Sequence, residues 1–334
     1  MKAVIVTFGS DTTPSSRFRV FQYLTGLKSA GWEVELLVPQ KGESAWQLGI
    51  RAAQAAKAAD LLFVQKRLFP TVCLRLLAKA AQGRLIYDFD DALFVSQNKS
   101  RSMLAHARTV NRLNAILKNS QMVIAGNSYL AEYAKKHNPR VEIIPTPIDI
   151  ANYPRREIHQ QKSPQIIGWM GSSSNHEYLA AICPALREIC REKNAELQVV
   201  SNQPFQFVDL EVRNIPWQSE CEPQLLHNFD IGLMPLADDP WTRGKCAFKA
   251  LQYMAVGLPV VCSPVGMNNE VMQEGVQGFF ATGQNEWREK LAILLEDAAL
   301  REKMGIAGRE TVRQNYSTEV MLPWLLQIMA EVAR

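Results

Sequence analysis

Three cations lie in a short stretch that also contains a predicted helix, and their spacing suggests that they bind an anion. Arg243 and Lys245 come just before a helix that the apolar pattern predicts over residues 247–256, and Lys249 lies in its first turn. Gly257 is the expected stop of this helix. We expect Lys245 and Lys249 to lie one turn apart on one helix face.

A helix N-terminus already carries partial positive charge, so additional cations there are unfavourable unless an anion binds between them. The sequence therefore favours an anionic ligand at this place, and a phosphate group is the anion that helix N-termini bind most readily. The alternative is that Asp238 and Asp239 neutralise the three cations at the protein surface.

A second candidate for phosphate binding is a loop of small residues after a predicted strand. The strand over residues 165–170 ends at Gly171, and Ser172 and Ser173 follow before the next helix. Such a loop offers backbone N–H groups to a phosphate, although serines also cap helices without binding anything. His176 is either a first-turn helix residue or a catalytic group. Glu270 follows another strand, and we expect it to face the same place as Gly171.

An acidic cluster, Asp88, Asp90 and Asp91, follows directly on a predicted strand. In parallel sheets, ligands bind beyond the carboxyl ends of the strands, where this cluster is expected. Three neighbouring carboxylates repel one another unless they are solvated, paired with cations or bound to metal. Three interpretations remain open: a metal site facing a diphosphate, a role in ordering an acceptor or a cleft, and capping of the next helix.

The chain opens with a buried-type strand that runs into Gly9 and a polar loop. Arg17 and Arg19 lie near the point where this loop meets the next helix, and they are either solvated or directed into a cleft. The loop lacks a complete G-x-G-x-x-G pattern, so the sequence gives little support for a dinucleotide site.

Strands alternate with helices along both halves of the chain, which predicts an α/β protein with parallel sheets covered on both faces. We predict two doubly wound, Rossmann-like domains that face each other across a cleft. The expected domains are residues 1–150 and 165–316, joined by a polar linker over 151–164. A terminal helix is expected within residues 317–334, apolar on one face.

The composition is that of an ordinary globular protein: 334 residues, of which 47% are hydrophobic and 21% charged. The net charge of +4 is too small to suggest nucleic-acid binding, but it suits an anionic ligand or an anionic membrane surface. The six cysteines form no C-x-x-C pair and are expected to be reduced thiols. No apolar run approaches the ~20 residues of a membrane span, and we expect a cytoplasmic protein.

The second half resembles the donor domain of retaining glycosyltransferases of the GT-B fold, in the large family that includes many bacterial sugar transferases. The resemblance lies in the order and spacing of several segments: residues 229–235 (FDIGLMP), 252–261 (QYMAVGLPVV), Gly266 with Glu270, and 275–279 (GVQGF). Residues 143–149 (IIPTPID) are similar to the segment that ends the family's acceptor domain. The resemblance also implies that the terminal helix, within residues 317–334, crosses back to the first domain.

The chain departs from the family pattern at positions that matter for the donor. The family carries two glutamates eight residues apart on the signature helix, and Gly244 and Gln252 stand there in this chain. Gln252 can still hydrogen-bond ribose hydroxyls, whereas Gly244 leaves a donor-sugar contact unfilled. Ser172, Ser173 and His176 stand where the family has basic residues. We expect Arg243, Lys245 and Lys249 to supply the missing positive charge.

The resemblance implies glycosyl transfer from a nucleoside-diphosphate sugar to a glycan, lipid-linked or small-molecule acceptor, with retention of configuration. In this interpretation, Lys249, Lys245 and Arg243 are catalytic, because they stabilise the charge that develops on the leaving diphosphate. Gly171, Ser172, Ser173, His176, Gly244, Gln252 and Glu270 would form the donor site, while Gly9, Arg17, Arg19, Asp88, Asp90 and Asp91 would lie on the acceptor side. We expect no cofactor beyond the nucleotide-sugar co-substrate, no metal and no nucleic-acid partner. We also expect the protein to associate with the membrane periphery.

Two other functions stay open. A nucleotide-sugar epimerase on the same fold would need acid and base carboxylates, which Asp88, Asp90 and Asp91 could supply. A non-catalytic sugar-nucleotide-binding subunit would account for the missing glutamates.

Overall fold

The computed structural model describes residues 1–96, 102–156 and 163–334, and it divides the chain into two compact units. The first unit contains Met1–Pro147, Arg243–Cys246 and Thr318–Arg334. The second contains Ile148–Thr242 and Ala247–Ser317. The chain therefore passes from the second unit into the first and back within four residues.

The first unit is built around a six-stranded parallel sheet in the order β2-β1-β3-β4-β5-β6. Its strands are β1 (Lys2–Val6), β2 (Glu33–Leu37), β3 (Leu61–Gln65), β4 (Leu85–Phe89), β5 (Met122–Ala125) and β6 (Val141–Ile143). The helices are α1 (Pro14–Arg19), α2 (Leu24–Ser29), α3 (Ala45–Ala56), α4 (Thr71–Ala81), α5 (Met103–Asn119), α6 (Ser128–Lys135) and the terminal α14 (Thr318–Ala333), with a 3-10 turn at Phe21–Tyr23.

The central strands of this sheet are buried on both faces, as the continuous apolar runs in the sequence predict. On one face, β1 and β3 pack with α2 and with the terminal helix in a single core. Met321, Leu325 and Met329 of α14 belong to this core and are at most 5% exposed. The terminal helix is thus an integral part of the first unit.

The second unit contains another six-stranded parallel sheet, in the order β12-β11-β10-β7-β8-β9. Its strands are β7 (Gln165–Met170), β8 (Ala195–Ser201), β9 (Val212–Pro216), β10 (Ile231–Met234), β11 (Val260–Cys262) and β12 (Gly278–Phe280). The helices are α7 (His176–Lys193), α8 (Glu222–Leu226), α9 (Pro240–Arg243), α10 (Phe248–Ala255), α11 (Asn268–Val271), α12 (Gln284–Glu296) and α13 (Ala298–Asn315). Short 3-10 turns cover Ile150–Asn152, Ser173–Asn175 and Ser219–Cys221.

Each sheet has one place where successive strands depart in opposite directions. In the first sheet this topological switch point lies between β1 and β3, and in the second it lies between β7 and β10. Doubly wound sheets bind ligands beyond the carboxyl ends of the strands at such a point. Functional side chains are therefore expected in the loops after β1, β3, β7 and β10.

The predicted fold class, two doubly wound α/β domains with a terminal helix on the first, is confirmed. The first helix of the chain is interrupted at Val20, where φ is −131°. The terminal helix begins at Thr318, so Pro323 lies inside it. In the described residues, no helix has the length and apolar character needed to cross a bilayer.

The segment predicted as a polar linker, residues 151–164, was also misjudged. Tyr153 and Arg156 are buried, at 4% and 8% exposure. Arg156 donates hydrogen bonds to the Phe229 carbonyl at 2.8 Å and to the Asp230 carboxylate at 3.2 Å. The first part of this segment is thereby fixed to the second unit, and residues 157–162 of the expected linker lie outside the described residues.

Candidate functional site

Lys249 lies in the first turn of α10, the second helix after β10, and β10 borders the switch point of the second sheet. Its side chain is half-buried, and its Nζ lies 5.9 Å from the centroid of the Phe248 ring. The residue before the helix, Ala247, has a φ of +49°, a left-handed conformation that is strained for alanine. This strained entry sets the direction in which α10 presents Lys249.

The ammonium group of Lys249 donates a hydrogen bond to Oε1 of Gln252 at 3.0 Å. The amide nitrogen of Gln252 donates to the hydroxyl of Tyr153 at 2.7 Å and to Oε1 of Glu222. Gln252 is completely buried, and the two donor contacts use its amide nitrogen. The expected direct contact of Gln252 with ribose hydroxyls is therefore not available in this structure.

Glu222, which no motif in the sequence singles out, bonds to Gln252 in this network. It is the first residue of α8 and is only 2% exposed. Its carboxylate accepts hydrogen bonds from the Tyr153 hydroxyl at 3.0 Å and from Nε1 of Trp217 at 2.7 Å, besides the bond from Gln252. A buried carboxylate needs such donors to remain charged. The signal in the sequence was an acidic residue before a proline at a helix start, which also occurs at ordinary helix N-termini.

The predicted pairing of Lys245 with Lys249 on one helix face is wrong. Arg243 ends α9, Lys245 lies in the connection between α9 and α10, and both belong to the first unit. The carbonyl oxygens of these two residues accept hydrogen bonds from Nδ2 of Asn127, at 3.4 and 3.0 Å. Arg243 is exposed and Lys245 is half-buried. Of the three predicted catalytic cations, only Lys249 lies in the second unit.

Gly244 stands where the resemblance implies a glutamate, and the structure shows why no side chain is present. A Cβ atom on Gly244 would lie 2.5 Å from the Cβ of Ala92 and 3.0 Å from its backbone nitrogen. Contacts this short force the backbone to move. The position is therefore filled by close packing within the first unit.

Asp239, one of the two alternative partners of the cations, caps a helix. Oδ1 of Asp239 accepts hydrogen bonds from the backbone nitrogens of Trp241 and Thr242, at 2.8 and 2.9 Å. These contacts cap α9, which is a typical use of an aspartate at a helix start. Asp239 therefore has a local role that needs no lysine partner.

The loop after β7 contains the predicted phosphate-binding residues, but several of its N–H groups are already used. The backbone nitrogen of Gly171 donates to the Val200 carbonyl at 3.0 Å, and that of Ser173 donates to the Asn202 side chain at 2.8 Å. Ser172 caps its own turn by accepting from the backbone nitrogen of Ser174. The expectation of free N–H groups at Gly171 and Ser173 was wrong, because β8 and its following residue satisfy them.

Gly171 has a packing role as well. A Cβ atom there would lie 2.5 Å from the Trp169 ring. At the preceding residue, the backbone nitrogen of Met170 donates to the hydroxyl of Tyr253 at 2.8 Å. Since Tyr253 is the neighbour of Gln252 on α10, this bond ties the end of β7 to the helix that carries Lys249.

His176 begins α7 and packs between two aromatic rings. Its ring centroid lies 5.5 Å from that of Trp169 and 5.1 Å from that of Phe205, both in edge-on geometry. Its Nε2 is 3.0 Å from the Ser201 hydroxyl. Burial lowers the pKa of His176, so the ring is neutral near pH 7. These contacts support the interpretation of His176 as a first-turn helix residue.

Glu270 lies in the short helix α11, and its side chain is exposed. Its backbone carbonyl accepts a hydrogen bond from the Tyr316 hydroxyl at 3.2 Å. Glu270 thus lies at the surface, in the short helix that follows β11.

In the first unit, the acidic cluster is neutralised by cations. Arg19 and Asp88 are 4% and 2% exposed, and Nε of Arg19 donates to both carboxylate oxygens of Asp88, at 3.0 and 2.8 Å. Burial lowers the pKa of Arg19, but the charge of Asp88 outweighs it and raises the pKa overall. Arg19 is therefore neither solvated nor available to a ligand, contrary to both alternatives that the sequence left open.

The other two carboxylates pair with a lysine that the sequence analysis did not consider. Lys66 follows β3 directly, and its Nζ lies 3.0 Å from Oδ1 of Asp90 and contacts Oδ2 of Asp91. It also donates to the Ser15 hydroxyl at 2.9 Å. Burial opposes the charge of Lys66, but the two carboxylates raise its pKa. Of the three ways in which neighbouring carboxylates can coexist, namely solvation, cation pairing and metal binding, cation pairing describes the structure.

The remaining acceptor-side residues lie near this cluster in the loop after β1. The backbone nitrogen of Gly9 donates to the Ser16 hydroxyl at 2.9 Å, and the Arg17 guanidinium lies 4.2 Å from the Phe18 ring centroid. Within the residues that the structure describes, no group of three or more His, Cys, Asp or Glu side chains is arranged to hold a metal ion. All six cysteines are free thiols.

Comparison with known proteins matches this architecture to a fold and part of the chain to a family. Residues 164–297 match the family model described as "Glycosyl transferases group 1". A search of curated proteins found no match. Among solved structures, a sucrose-phosphate synthase from Thermosynechococcus elongatus is similar, with a TM-score of 0.76, 14% sequence identity and 99% coverage of both chains.

Two further structures share the fold. HepE from Anabaena, in complex with UDP and glucose, has a TM-score of 0.70 and 16% identity, with 99% coverage of both chains. A glycosyltransferase from Rickettsia africae has a TM-score of 0.66 and 12% identity, covering 100% of this chain and 99% of that one. The two parallel sheets therefore constitute the GT-B fold, and the matched residues 164–297 lie within the second unit.

Proposed function

We propose that this chain, a GT-B protein whose residues 164–297 match the glycosyl transferases group 1 family, transfers a sugar from a nucleoside-diphosphate sugar to an acceptor. The observation that carries the proposal is the position of the Lys249 ammonium group. Its ammonium lies in the first turn of α10, at the switch point of the second sheet, and a buried polar network fixes it there. The similar structure of HepE contains UDP and glucose, which supports a UDP-sugar as the first donor to test.

In the proposed reaction, the bond between the sugar and the diphosphate breaks, and the diphosphate leaves with increased negative charge. A preorganised cation at that charge stabilises the transition state more than the ground state. Lys249 is the candidate for this role in the second unit. The transfer is proposed to proceed with retention, in which the leaving phosphate accepts the acceptor proton and no separate strong base is required.

The proposed reaction needs no metal ion. Arg19 and Lys66 already compensate the three carboxylates of the first unit, so Asp88, Asp90 and Asp91 are not arranged to hold a divalent cation against a diphosphate. Positive charge on the protein would balance the diphosphate instead, which places the requirement on Lys249.

The experiment that tests this function is a thermal-shift screen with UDP-, GDP-, dTDP- and ADP-sugars. A ligand present at one hundred times its dissociation constant stabilises the folded state by roughly 2.7 kcal/mol, which raises the melting temperature measurably. At least one nucleotide sugar should do so, while the free sugar alone should not. If none of the four raises the melting temperature, the proposed donor class is wrong.

One observation favours a non-catalytic nucleotide-sugar-binding subunit as the second candidate. Gly244 packs against Ala92 so closely that no side chain can reach a donor sugar from this position. Such a subunit would bind the donor without releasing nucleoside diphosphate across a panel of acceptors. The epimerase alternative is less well supported, because the carboxylates that it needs are engaged with Arg19 and Lys66.

We also propose that the acceptor side works at an anionic membrane surface, through the exposed face of α4. Val72, Arg75, Leu76 and Lys79 are exposed and follow helical spacing on this face. Neither α4 nor α5 contains an acidic residue. Exposed apolar side chains next to cations suit binding to anionic lipid.

Vesicle co-sedimentation tests this proposal. The protein should bind vesicles that contain phosphatidylglycerol and should not bind pure phosphatidylcholine. The double substitution Arg75→Glu/Lys79→Glu should abolish the binding, since each cation contributes about 1 kcal/mol near such a surface. The matched control, Lys193→Glu/Lys303→Glu in the second unit, should bind like the parent. Equal binding by both variants would contradict the proposal.

A further inference from the structure

The buried network behind Lys249 contains one carboxylate, one amide and one ammonium group in a fixed order. Glu222 accepts from the amide nitrogen of Gln252, and the amide oxygen of Gln252 accepts from Lys249 at 3.0 Å. A carboxylate only accepts hydrogen bonds and an ammonium only donates them. The two charged groups therefore determine the orientation of the Gln252 amide, and its dipole is aligned with the field between them.

The same contacts explain why residue 252 is glutamine. A glutamate there would bring a second carboxylate within hydrogen-bonding distance of Glu222, where both side chains are buried. Two carboxylates in such a site cannot both remain ionised. Glu222 on α8 thus explains why position 252 on α10 is a glutamine and not a glutamate.

We propose that Glu222 and Gln252 are positioning residues that hold the ammonium of Lys249 in place for the donor diphosphate, and that their side chains are interchangeable only as a pair. This inference rests on the proposed function of Lys249. Neither residue touches the ligand, since Glu222 is 2% exposed and Gln252 is completely buried. Tyr153 and Trp217 complete the arrangement by donating to Glu222.

An exchange of the two side chains preserves the pattern of donors and acceptors. In the double variant Glu222→Gln/Gln252→Glu, the carboxylate at 252 would accept from Lys249 and from the amide at 222. The Tyr153 hydroxyl can reverse its roles, because it both donates and accepts. The amide oxygen at 222 would still accept from Nε1 of Trp217. Each single substitution lacks this compensation.

The experiment is a double-mutant cycle read by nucleotide-sugar affinity, by kcat and KM for the donor, and by melting temperature. Gln252→Glu introduces like-charge repulsion, and Glu222→Gln places an amide donor against other donors. Each single variant should lose at least tenfold in donor affinity, and the double variant should return to within about threefold of the parent. Gln277→Glu is the matched control: it adds the same charge to a buried glutamine of the second unit whose partners are the Thr311 hydroxyl and the Gln273 backbone nitrogen. It should bind donor like the parent.

The outcomes separate this inference from the proposed function. If the parent binds no nucleotide sugar, the proposed function fails, and the melting temperatures still show whether the two residues are coupled. If the double variant loses as much affinity as the two single variants combined, the pairing is contradicted. Recovery of the melting temperature without recovery of donor affinity would overturn the positioning role.

Discussion

Nε of Arg19 donates hydrogen bonds to both carboxylate oxygens of Asp88, at 3.0 and 2.8 Å, inside the first unit. The same guanidinium donates from Nη1 to the Ile144 carbonyl and the Thr146 hydroxyl, both at 3.1 Å. This ion pair connects α1 with β4 and with the residues after β6. It is therefore a structural feature of the sheet's carboxyl edge, and its removal should affect folding.

Replacing Arg19 with Met should destabilise the protein by about 3–5 kcal/mol, because Asp88 is left as a buried charge without its partner. The double variant Arg19→Met/Asp88→Asn should lose less unfolding free energy than Arg19→Met alone, since no uncompensated charge remains. Arg17→Met is the control from the same helix, and it should cost less than about 1 kcal/mol. Denaturant unfolding measures all three. A double variant as unstable as the sum of its single substitutions would contradict this role of the pair.

The terminal helix should contribute substantially to the stability of the first unit. Leu325 is 4% exposed in the core that contains β1 and β3, so Leu325→Ala should cost about 2–5 kcal/mol. Val320→Ala is the control on the same helix, where the side chain is 41% exposed, and it should change little. Deletion of residues 317–334 should lower the melting temperature and expose apolar surface to a hydrophobic dye. A truncated protein that melts like the full chain would rule out this packing.

Stability should fall as the pH drops from about 7 to 5, in part because of His176. Burial lowers the pKa of His176 in the folded state, whereas the unfolded chain has the ordinary value of about 6.5. Below that value the unfolded state binds a proton that the folded state does not, so acid favours unfolding. In His176→Gln the difference in melting temperature between pH 7.5 and 5.5 should be smaller than in the parent. His137, whose pKa is also lowered, should account for part of the remainder. An unchanged pH dependence would show that His176 does not contribute.

Nucleoside diphosphate release from the donor should persist in EDTA, because Lys66 occupies the carboxylates of Asp90 and Asp91. The measurement compares the rate of release in EDTA with the rate after addition of Mg²⁺ or Mn²⁺. Complete loss of release in EDTA, restored by either ion, would overturn the metal-free mechanism. The carboxylates would then have to leave their cation partners when the donor binds.

The fold could be predicted from the sequence because strands such as β5 and β11 are uninterrupted apolar runs, which are typical of parallel sheets. The position of Lys249 followed from the predicted helix and its Gly257 stop. The position of Lys245 relative to Lys249 could not be predicted correctly, because the helix starts only after Ala247. Ala247 has a φ of +49°, and an alanine in the sequence does not indicate such a conformation.

The network behind Lys249 depends on contacts between distant parts of the chain. Gln252 bonds to Glu222, 30 residues away, and to Tyr153, 99 residues away in a segment that composition alone indicated to be a linker. The pairing of Lys66 with Asp90 and Asp91 also depends on distant parts of the chain, because it requires β3 and β4 to be neighbours in the sheet.

The placement of the donor diphosphate at α10 is tested most directly by the affinity of Lys249→Met for the nucleotide sugar that stabilises the parent, measured by calorimetry. Methionine keeps much of the apolar stem and removes the charge. Loss of a charge-assisted hydrogen bond of about 1.5–3 kcal/mol predicts a donor affinity roughly tenfold to a hundredfold weaker. The fall in kcat/KM should be at least as large, because the leaving group gains charge in the transition state. The control Lys303→Met, on the exposed face of α13, should bind like the parent. Donor affinity and turnover in Lys249→Met equal to those of the parent would contradict the placement of the diphosphate at α10.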